Sequence, residues 1–93
     1  MDTQKDVVMA LSQVTDELTN RRFVVGAKQL KKALKNGAAN KVFLACNADP
    51  AITEPIAALC RQASVDLAWV KSMTDLGRAC GIEVGAAAAA AIR

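Results

Sequence analysis

The sequence predicts an α/β fold, with helices on both faces of a small mixed sheet of four strands. Three observations predict it: segments with helical periodicity alternate with short β-prone runs, the 93 residues suit one domain, and only three residues are aromatic. A core of Val, Ile, Leu and many Ala favours helices packed closely on a sheet, because small side chains bring backbones together. We expect a single domain over residues 1–93, ordered α-β-α-β-α-β-α-β.

In the first half of the chain, the residue patterns predict a helix, a strand, a second helix and a second strand, in that order. Apolar residues recur at steps of three and four over residues 5–18, which predicts an amphipathic helix: Val7, Val8, Leu11, Val14 and Leu18. Residues 21–25 form a short β-prone run, typical of a strand. Residues 27–36 predict a helix, because Ala27, Leu30, Ala33 and Leu34 share one face. Gly37 closes it, since glycine can adopt the left-handed conformation that ends helices. Residues 41–46 are apolar and predict an interior strand.

The second half continues the alternation. A third helix is expected to begin between Pro50 and Pro55, because proline is tolerated only in the first turn of a helix. Residues 65–70 predict the next strand. Ser72, three residues before Asp75, forms a capping-box signature for a fourth helix that ends at Gly81.

Two segments near the end of the chain each allow two interpretations. The alanine-rich run 86–92 has helix propensity by composition, but it fits a buried strand equally well where a helix comes close. Just before it, Ile82 and Val84 lie between Gly81 and Gly85, which mark a loop. These apolar side chains either plug the end of the core or lie exposed for a ligand.

The residue types present argue against catalysis and metal binding. The chain contains no histidine, which removes the usual general base, the Ser-His and Cys-His nucleophile pairs and the commonest metal ligand. Three scattered cysteines without a CxxC pair do not supply a zinc site. Each candidate pair of carboxylates has an ordinary structural explanation, such as a helix cap or a solvated helix face. We expect a protein that is not an enzyme and that holds no cofactor or metal ion.

Positive charge is concentrated in one place. The formal net charge is +3, which permits an acidic partner without demanding one. Four lysines share one face of the helix over residues 27–36, and two arginines precede it: Lys28, Lys31, Lys32, Lys35, Arg21 and Arg22. Unpaired N–H groups at a helix start also attract anions. The cluster is either a phosphate site or a solvated lysine face.

Other features predict a cytoplasmic protein. No run approaches the roughly 20 apolar residues that span a bilayer, and the start MDTQKD lacks the pattern of a secretion signal. The cysteines, Cys46, Cys60 and Cys80, are odd in number and lie among apolar neighbours. We expect them to be reduced, buried thiols.

Three segments resemble the ribosomal protein L7Ae/L30e family, most closely its small bacterial L7Ae-like branch. They are VVGAKQLKKALKNG from residue 24, LACNADP from residue 44 and SMTDLGRACGIEVGAAAA from residue 72. They occur in the family's order and spacing, and the resemblance covers about residues 20–93. It implies an L30e-like three-layer α-β-α sandwich that binds kink-turn RNA, a duplex sharply bent by a bulge beside sheared G·A pairs. Ribosomal RNA is the expected partner, and no membrane is involved.

The resemblance also implies two groups of RNA-binding residues. The first group opens a helix and would lie against the RNA: Gly26, Ala27, Lys28 and Gln29, with Lys32 one turn further on. Gly26 would let the backbone approach a phosphate, Lys28 and Gln29 would reach guanine edges, and Lys32 would neutralise the RNA backbone. The second group would cover a nucleotide splayed out of the bulge: Ile82, Glu83 and Val84.

Three residues depart from the family pattern. Archaeal and eukaryotic relatives usually carry an Asn-Glu pair where this chain has Lys28-Gln29, and an acidic residue in place of Asn47. The base contacts of Lys28 and Gln29 are therefore not carried over. Since relatives of this fold also serve as signalling partners, a protein-interaction adaptor is the alternative function, with Ile82, Val84 and the first helix as its surface. The sequence leaves the natural RNA and the oligomeric state open.

Overall fold

The structure, a computed structural model, describes residues 8–19 and 22–93. Strands and helices alternate over these residues in the order β1 (Val8–Met9), α1 (Leu11–Thr19), β2 (Phe23–Val25), α2 (Ala27–Lys35), β3 (Ala39–Ala45), α3 (Pro50–Ala63), β4 (Asp66–Val70), α4 (Met73–Ala79) and β5 (Ala88–Ile92). The predicted α/β class is confirmed. Arg21, which was assigned to the second strand and to the basic cluster, lies outside the described residues.

The strands form one mixed sheet in the order β1-β4-β3-β5-β2. β1, β4 and β3 are parallel, whereas β5 is antiparallel to both β3 and β2. β2 therefore runs in the same direction as β3. The described sheet has five strands. The expectation of four strands was wrong, because it did not include the short edge strand β1.

The N-terminal segment differs from the expected helix over residues 5–18. Val8 and Met9 form β1, paired with Trp69 and Val70 of β4, and the helix begins only at Leu11. Residues 5–7 of the expected helix lie outside the described residues. Val8 fits the helical spacing, but a β-branched residue also suits a strand, and the open edge of β4 provides the partner.

Helices cover both faces of the sheet, as expected for a three-layer sandwich. α1 and α4 pack on one face, where the core includes Val14, Leu18, Phe43, Val70 and Leu76. α2 and α3 pack on the other face, where the core includes Leu30, Leu34, Leu44, Ile56 and Trp69. Each helix buries one apolar stripe, which is what its 3.6-residue periodicity predicts.

The alanine run is a strand, which decides between the two interpretations. β5 lies between β3 and β2, and Ala88, Ala89 and Ala90 are fully buried. Alternate alanines join the two core layers, Ala89 with α1 and α4, and Ala88 and Ala90 with α2 and α3. Helix propensity is overridden because helices cover both faces, and small side chains let them approach closely.

The third helix carries one proline beyond its first turn. α3 begins at Pro50, within the expected range, and Pro55 lies inside the helix. The expectation that proline fits only the first turn was therefore wrong for Pro55. Pro55 cannot donate a hydrogen bond to the carbonyl of Ala51. Both residues are exposed, so water can reach that carbonyl.

Candidate nucleic-acid interface

One edge of the sheet collects most of the residues singled out in the sequence. β1, β2, β3 and β4 all end there, and each is followed by a helix, while β5 begins there. We call it the helix-start edge, and it comprises Gly26, Asn47, Lys71 and the loop 81–87. All the helices of the described chain begin at this edge, so their dipoles present partial positive charge to the same side.

Gly26 joins β2 to α2 in a conformation that favours glycine. Its φ is 103° and its ψ is 145°. The Gly26 N–H donates to the carbonyl of Ala88 at 2.9 Å, and the Gly26 carbonyl accepts from the Leu30 N–H at 3.0 Å. A Cβ at this position would meet no described atom within 4 Å. The glycine is therefore required by the backbone path, and the space beside it is open to a ligand.

The first turn of α2 is free of capping side chains and acidic residues. No side chain caps its N–H groups, and no Asp or Glu lies in the turn. Lys28, Gln29 and Lys32 are exposed, whereas Ala27 is half-buried. Within the described ranges, none of the lysines of α2 forms an ion pair. The ion pair found there joins Lys41 of β3 and Glu17 of α1, at 2.9 Å. The start of α2 is thus an uncompensated positive site.

The loop 81–87 presents one apolar side chain to solvent and tucks another against the core. Ile82 is half-buried and packs against the α1 and α4 layer. Val84 is 69% exposed, and Glu83 is also exposed. Each interpretation of this loop therefore holds for one residue. Ile82 closes the end of the core, whereas Val84 remains available for contact.

Backbone packing against α4 fixes the path of this loop. The Ile82 N–H donates to the Gly77 carbonyl at 3.0 Å, and the Ala86 N–H donates to the Met73 carbonyl at 3.0 Å. A Cβ on Gly77 would overlap the carbonyl oxygen of Val84. Loop and helix pack backbone against backbone, and only glycine at position 77 leaves room for that.

α4 is held in turn by two side chains at its start. The Ser72 hydroxyl accepts from the Asp75 N–H at 3.1 Å, as the capping signature predicted. The Asn47 side-chain oxygen accepts from the Met73 N–H at 2.8 Å, which links the end of β3 to the start of α4. Asn47 thus positions the helix on which the loop lies. Sequence reasoning missed this contact, because an asparagine after a strand gives no signal of a partner 26 residues away.

The structure brings the two groups of candidate residues to the same edge. Gly26 is bonded to Ala88, three positions after Gly85, and β2 and β5 are neighbours in the sheet. Adjacent strands lie about 4.8 Å apart, so the start of α2 and the loop are side by side. Lys71, which follows β4 and is exposed, adds a cation to this edge that the sequence analysis did not single out.

The three cysteines differ in burial. None of the three cysteines forms a disulfide, and Cys60 and Cys80 are buried as expected, but Cys46 is only half-buried. Burial raises the pKa of Cys60 to about 11, and the charge of Arg61 offsets part of that rise. Burial also raises the pKa of Cys80. In the part of the chain that the structure describes, no group of three His, Cys, Asp or Glu residues could hold a metal ion.

No helix among residues 8–19 and 22–93 has the length and hydropathy needed to cross a bilayer. Comparison with known proteins identifies a family, several sequence relatives and similar solved structures. The model of the ribosomal protein L7Ae/L30e/S12e/Gadd45 family matches residues 6–93.

Two relatives and one solved structure illustrate the similarity. An RNA-binding protein of Bacillus pumilus is 48% identical over 67 residues, which cover 72% of this chain and 82% of the relative. The large ribosomal subunit protein eL8 of Haloquadratum walsbyi is 33% identical over 92 residues, covering 98% of this chain and 74% of the relative. The solved 15.5kD RNA-binding protein of Giardia lamblia superimposes with a TM-score of 0.82 at 25% identity, covering 100% of this chain and 84% of that one.

Proposed function

Because this chain belongs to the ribosomal protein L7Ae/L30e/S12e/Gadd45 family, we propose that it is an RNA-binding protein that recognises and stabilises kink-turn RNA. The observation that carries the proposal is the meeting of an uncapped, lysine-bearing helix start and an exposed apolar loop at one edge of the sheet. Relatives whose names state RNA binding or a ribosomal subunit support it. The proposal makes residues 1–93 one RNA-binding, ribosome-associated domain in the cytoplasm, and it assigns no catalytic step.

The start of α2 would hold the phosphate backbone of the RNA at the kink. Open space beside Gly26 lets a phosphate approach the N–H groups of the first turn, and the helix dipole favours its negative charge. Lys28 and Lys32 extend from the same turn and add charge-assisted contacts. Gln29 is exposed beside them and offers an amide to a base edge.

The loop 81–87 would cover a base that leaves the stack. In regular A-form RNA the bases are stacked, and side chains cannot read the deep, narrow major groove. At a kink, an unstacked base exposes an apolar face, and Val84 offers a matching apolar surface at the same edge. Burying a valine side chain contributes about 1.5–3 kcal/mol, and only the kinked conformer supplies the partner for it.

Recognition then works by selecting one conformer from an ensemble. A flexible bulged duplex interconverts between extended and kinked forms, and the protein shifts this equilibrium by its difference in affinity for the two. Only the kinked form contacts the start of α2 and Val84 together. Phosphate contacts also require that the affinity falls as salt is raised.

Gel-shift titration with two RNA duplexes of equal length tests the proposal. One duplex carries a kink-turn bulge with its G·A pairs, and the other is fully paired and unbent. Tight binding to the kinked duplex alone is the expected result. Equal, weak binding to both would overturn it and would favour the protein-interaction adaptor instead.

A further inference from the structure

The lysine face of α2 extends well beyond the proposed kink site. At about 100° per residue, its four lysines fall within a roughly 100° arc of the helix: Lys28, Lys31, Lys32 and Lys35. The buried residues Leu30, Ala33 and Leu34 occupy the opposite side. Lys28 and Lys35 are separated by about 10 Å along the helix axis, at about 1.5 Å per residue. Lys31 and Lys35 therefore carry the positive surface away from the helix-start edge.

Nothing in the described chain neutralises this face. Neither Lys31 nor Lys35 is paired with a carboxylate across residues 8–19 and 22–93. Like charges three or four residues apart each destabilise a helix by about 0.2–0.5 kcal/mol, and the α2 dipole is unfavourable to a cation in the first turn. The arrangement thus costs folding stability, although Lys32 and Lys35 interact favourably with the helix end.

The side chains that line this surface favour a polyanion over a protein partner. A groove of about 570 Å³ runs along the face, lined by Ala27, Lys28, Lys31, Lys32, Lys35 and Asn36. It contains no aromatic or large apolar side chain. Protein interfaces are usually anchored by Trp, Tyr or another apolar residue that fills a pocket, and this groove offers none. Regularly spaced phosphates match its charge and need no such anchor.

We propose that Lys31 and Lys35 bind the phosphate backbone of the duplex stem that flanks the kink. This inference rests on the proposed function, because the groove is continuous with the start of α2 through Lys28 and Lys32. The two parts of the surface then have separate effects. The helix-start edge selects the kinked shape, and Lys31 and Lys35 add affinity for a flanking stem whatever its base sequence.

Salt-dependent titration of single variants tests this division. The slope of log K against log salt is negative, and Lys31→Ala and Lys35→Ala are each expected to make it shallower by about 0.7–0.9. The double variant should make it shallower by about 1.4–1.8. From about 50 to about 200 mM salt, the wild type then loses roughly 7- to 12-fold more affinity than the double variant. Lys31→Arg/Lys35→Arg should retain the wild-type slope, because it keeps both charges.

A matched control and a truncated RNA complete the design. Arg61→Ala removes one exposed cation of α3 that lines a separate hollow on the β4 side, with Met9 and Asp66, and it should leave the slope unchanged. On a kinked RNA whose flanking stem is cut back to a few base pairs, the wild type and the double variant should bind alike. An unchanged slope in the double variant, or an equal loss with Arg61→Ala, overturns the inference.

The two proposals fail in different ways. One outcome is that the wild type does not prefer the kinked duplex but the lysine variants still make the salt slope shallower. In that case the proposed kink recognition is wrong, and Lys31 and Lys35 contact duplex RNA in general. If the preference for the kink is strong and the slope is unaffected, the stem contact alone is wrong. Melting temperatures of all variants confirm that they are folded.

Discussion

Substituting alanine for Gly77 tests whether the position of the loop 81–87 controls RNA binding. The new Cβ would lie closer than 3.0 Å to the Val84 carbonyl oxygen and 3.2 Å from the Gly85 Cα, and both are backbone atoms. A flexible side chain could move aside, but here the loop itself must shift. The shift breaks the hydrogen bonds that Ile82 and Ala86 donate to α4.

Gly77→Ala is expected to lower both the free energy of unfolding and the affinity for RNA. Two lost hydrogen bonds cost about 2 kcal/mol in total, and the better helix propensity of alanine returns about 1 kcal/mol. These two contributions alone lower the free energy of unfolding by about 1 kcal/mol, and movement of Ile82 away from the core adds to the loss. Displacing Val84 removes a contact of about 1.5–3 kcal/mol, which lowers affinity for the kinked RNA by about 10- to 100-fold.

Gly37→Ala provides the matched control. Gly37 follows α2 at a φ of 70°, and a Cβ there would meet no described atom within 4 Å. Alanine at this position costs about 1 kcal/mol of backbone strain without moving the loop. Urea unfolding should show that both variants are destabilised, while RNA titration should show weaker binding for Gly77→Ala alone. Equal RNA affinity for Gly77→Ala and Gly37→Ala would refute the reasoning.

Three further predictions follow from the site and the core. Val84→Ser should leave the free energy of unfolding within about 0.5 kcal/mol of wild type but weaken binding to kinked RNA, whereas Ile82→Ala should reduce both; equal unfolding curves for the two variants would contradict this. Asn47→Ala should cost about 0.5–1.5 kcal/mol in urea unfolding through loss of its hydrogen bond to α4 and also weaken RNA binding; unchanged stability would count against the anchor. Because burial raises the pKa of Cys60 to about 11 from 9.0, the unfolded thiol loses its proton first, so stability should fall as pH rises from about 9 to about 11. The urea midpoint should fall less steeply with pH for Cys60→Ala than for the wild type. An identical pH dependence of the two proteins would exclude Cys60 as the cause.

Local patterns in the sequence were sufficient for most elements, because their signals lie within a few residues. The stripe of apolar residues in α2, the glycine that ends it and the Ser72 cap were all read directly and are confirmed. The class of fold followed from the alternation of such elements. These features depend on interactions within one helical turn, which a sequence shows plainly.

Features that depend on distant partners were not predictable in the same way. β1 is a strand because Trp69 and Val70 offer it an edge, and β5 is a strand because helices cover both of its faces. The hydrogen bond from Met73 to Asn47 also joins separate parts of the chain. The different exposures of Ile82 and Val84 belong to this group, since alternation alone does not say which side chain meets the core.

Amide chemical shifts in an NMR titration test most directly whether the helix-start edge holds kinked RNA. The account predicts that kink-turn RNA shifts the amides of Gly26 to Gln29 together with those of Ile82 to Gly85. Residues 64–66, at the opposite edge of the sheet, should stay unchanged, and an unbent duplex should not shift the loop amides. Shifts confined to residues 64–66, or the same shifts with both RNAs, would contradict the account.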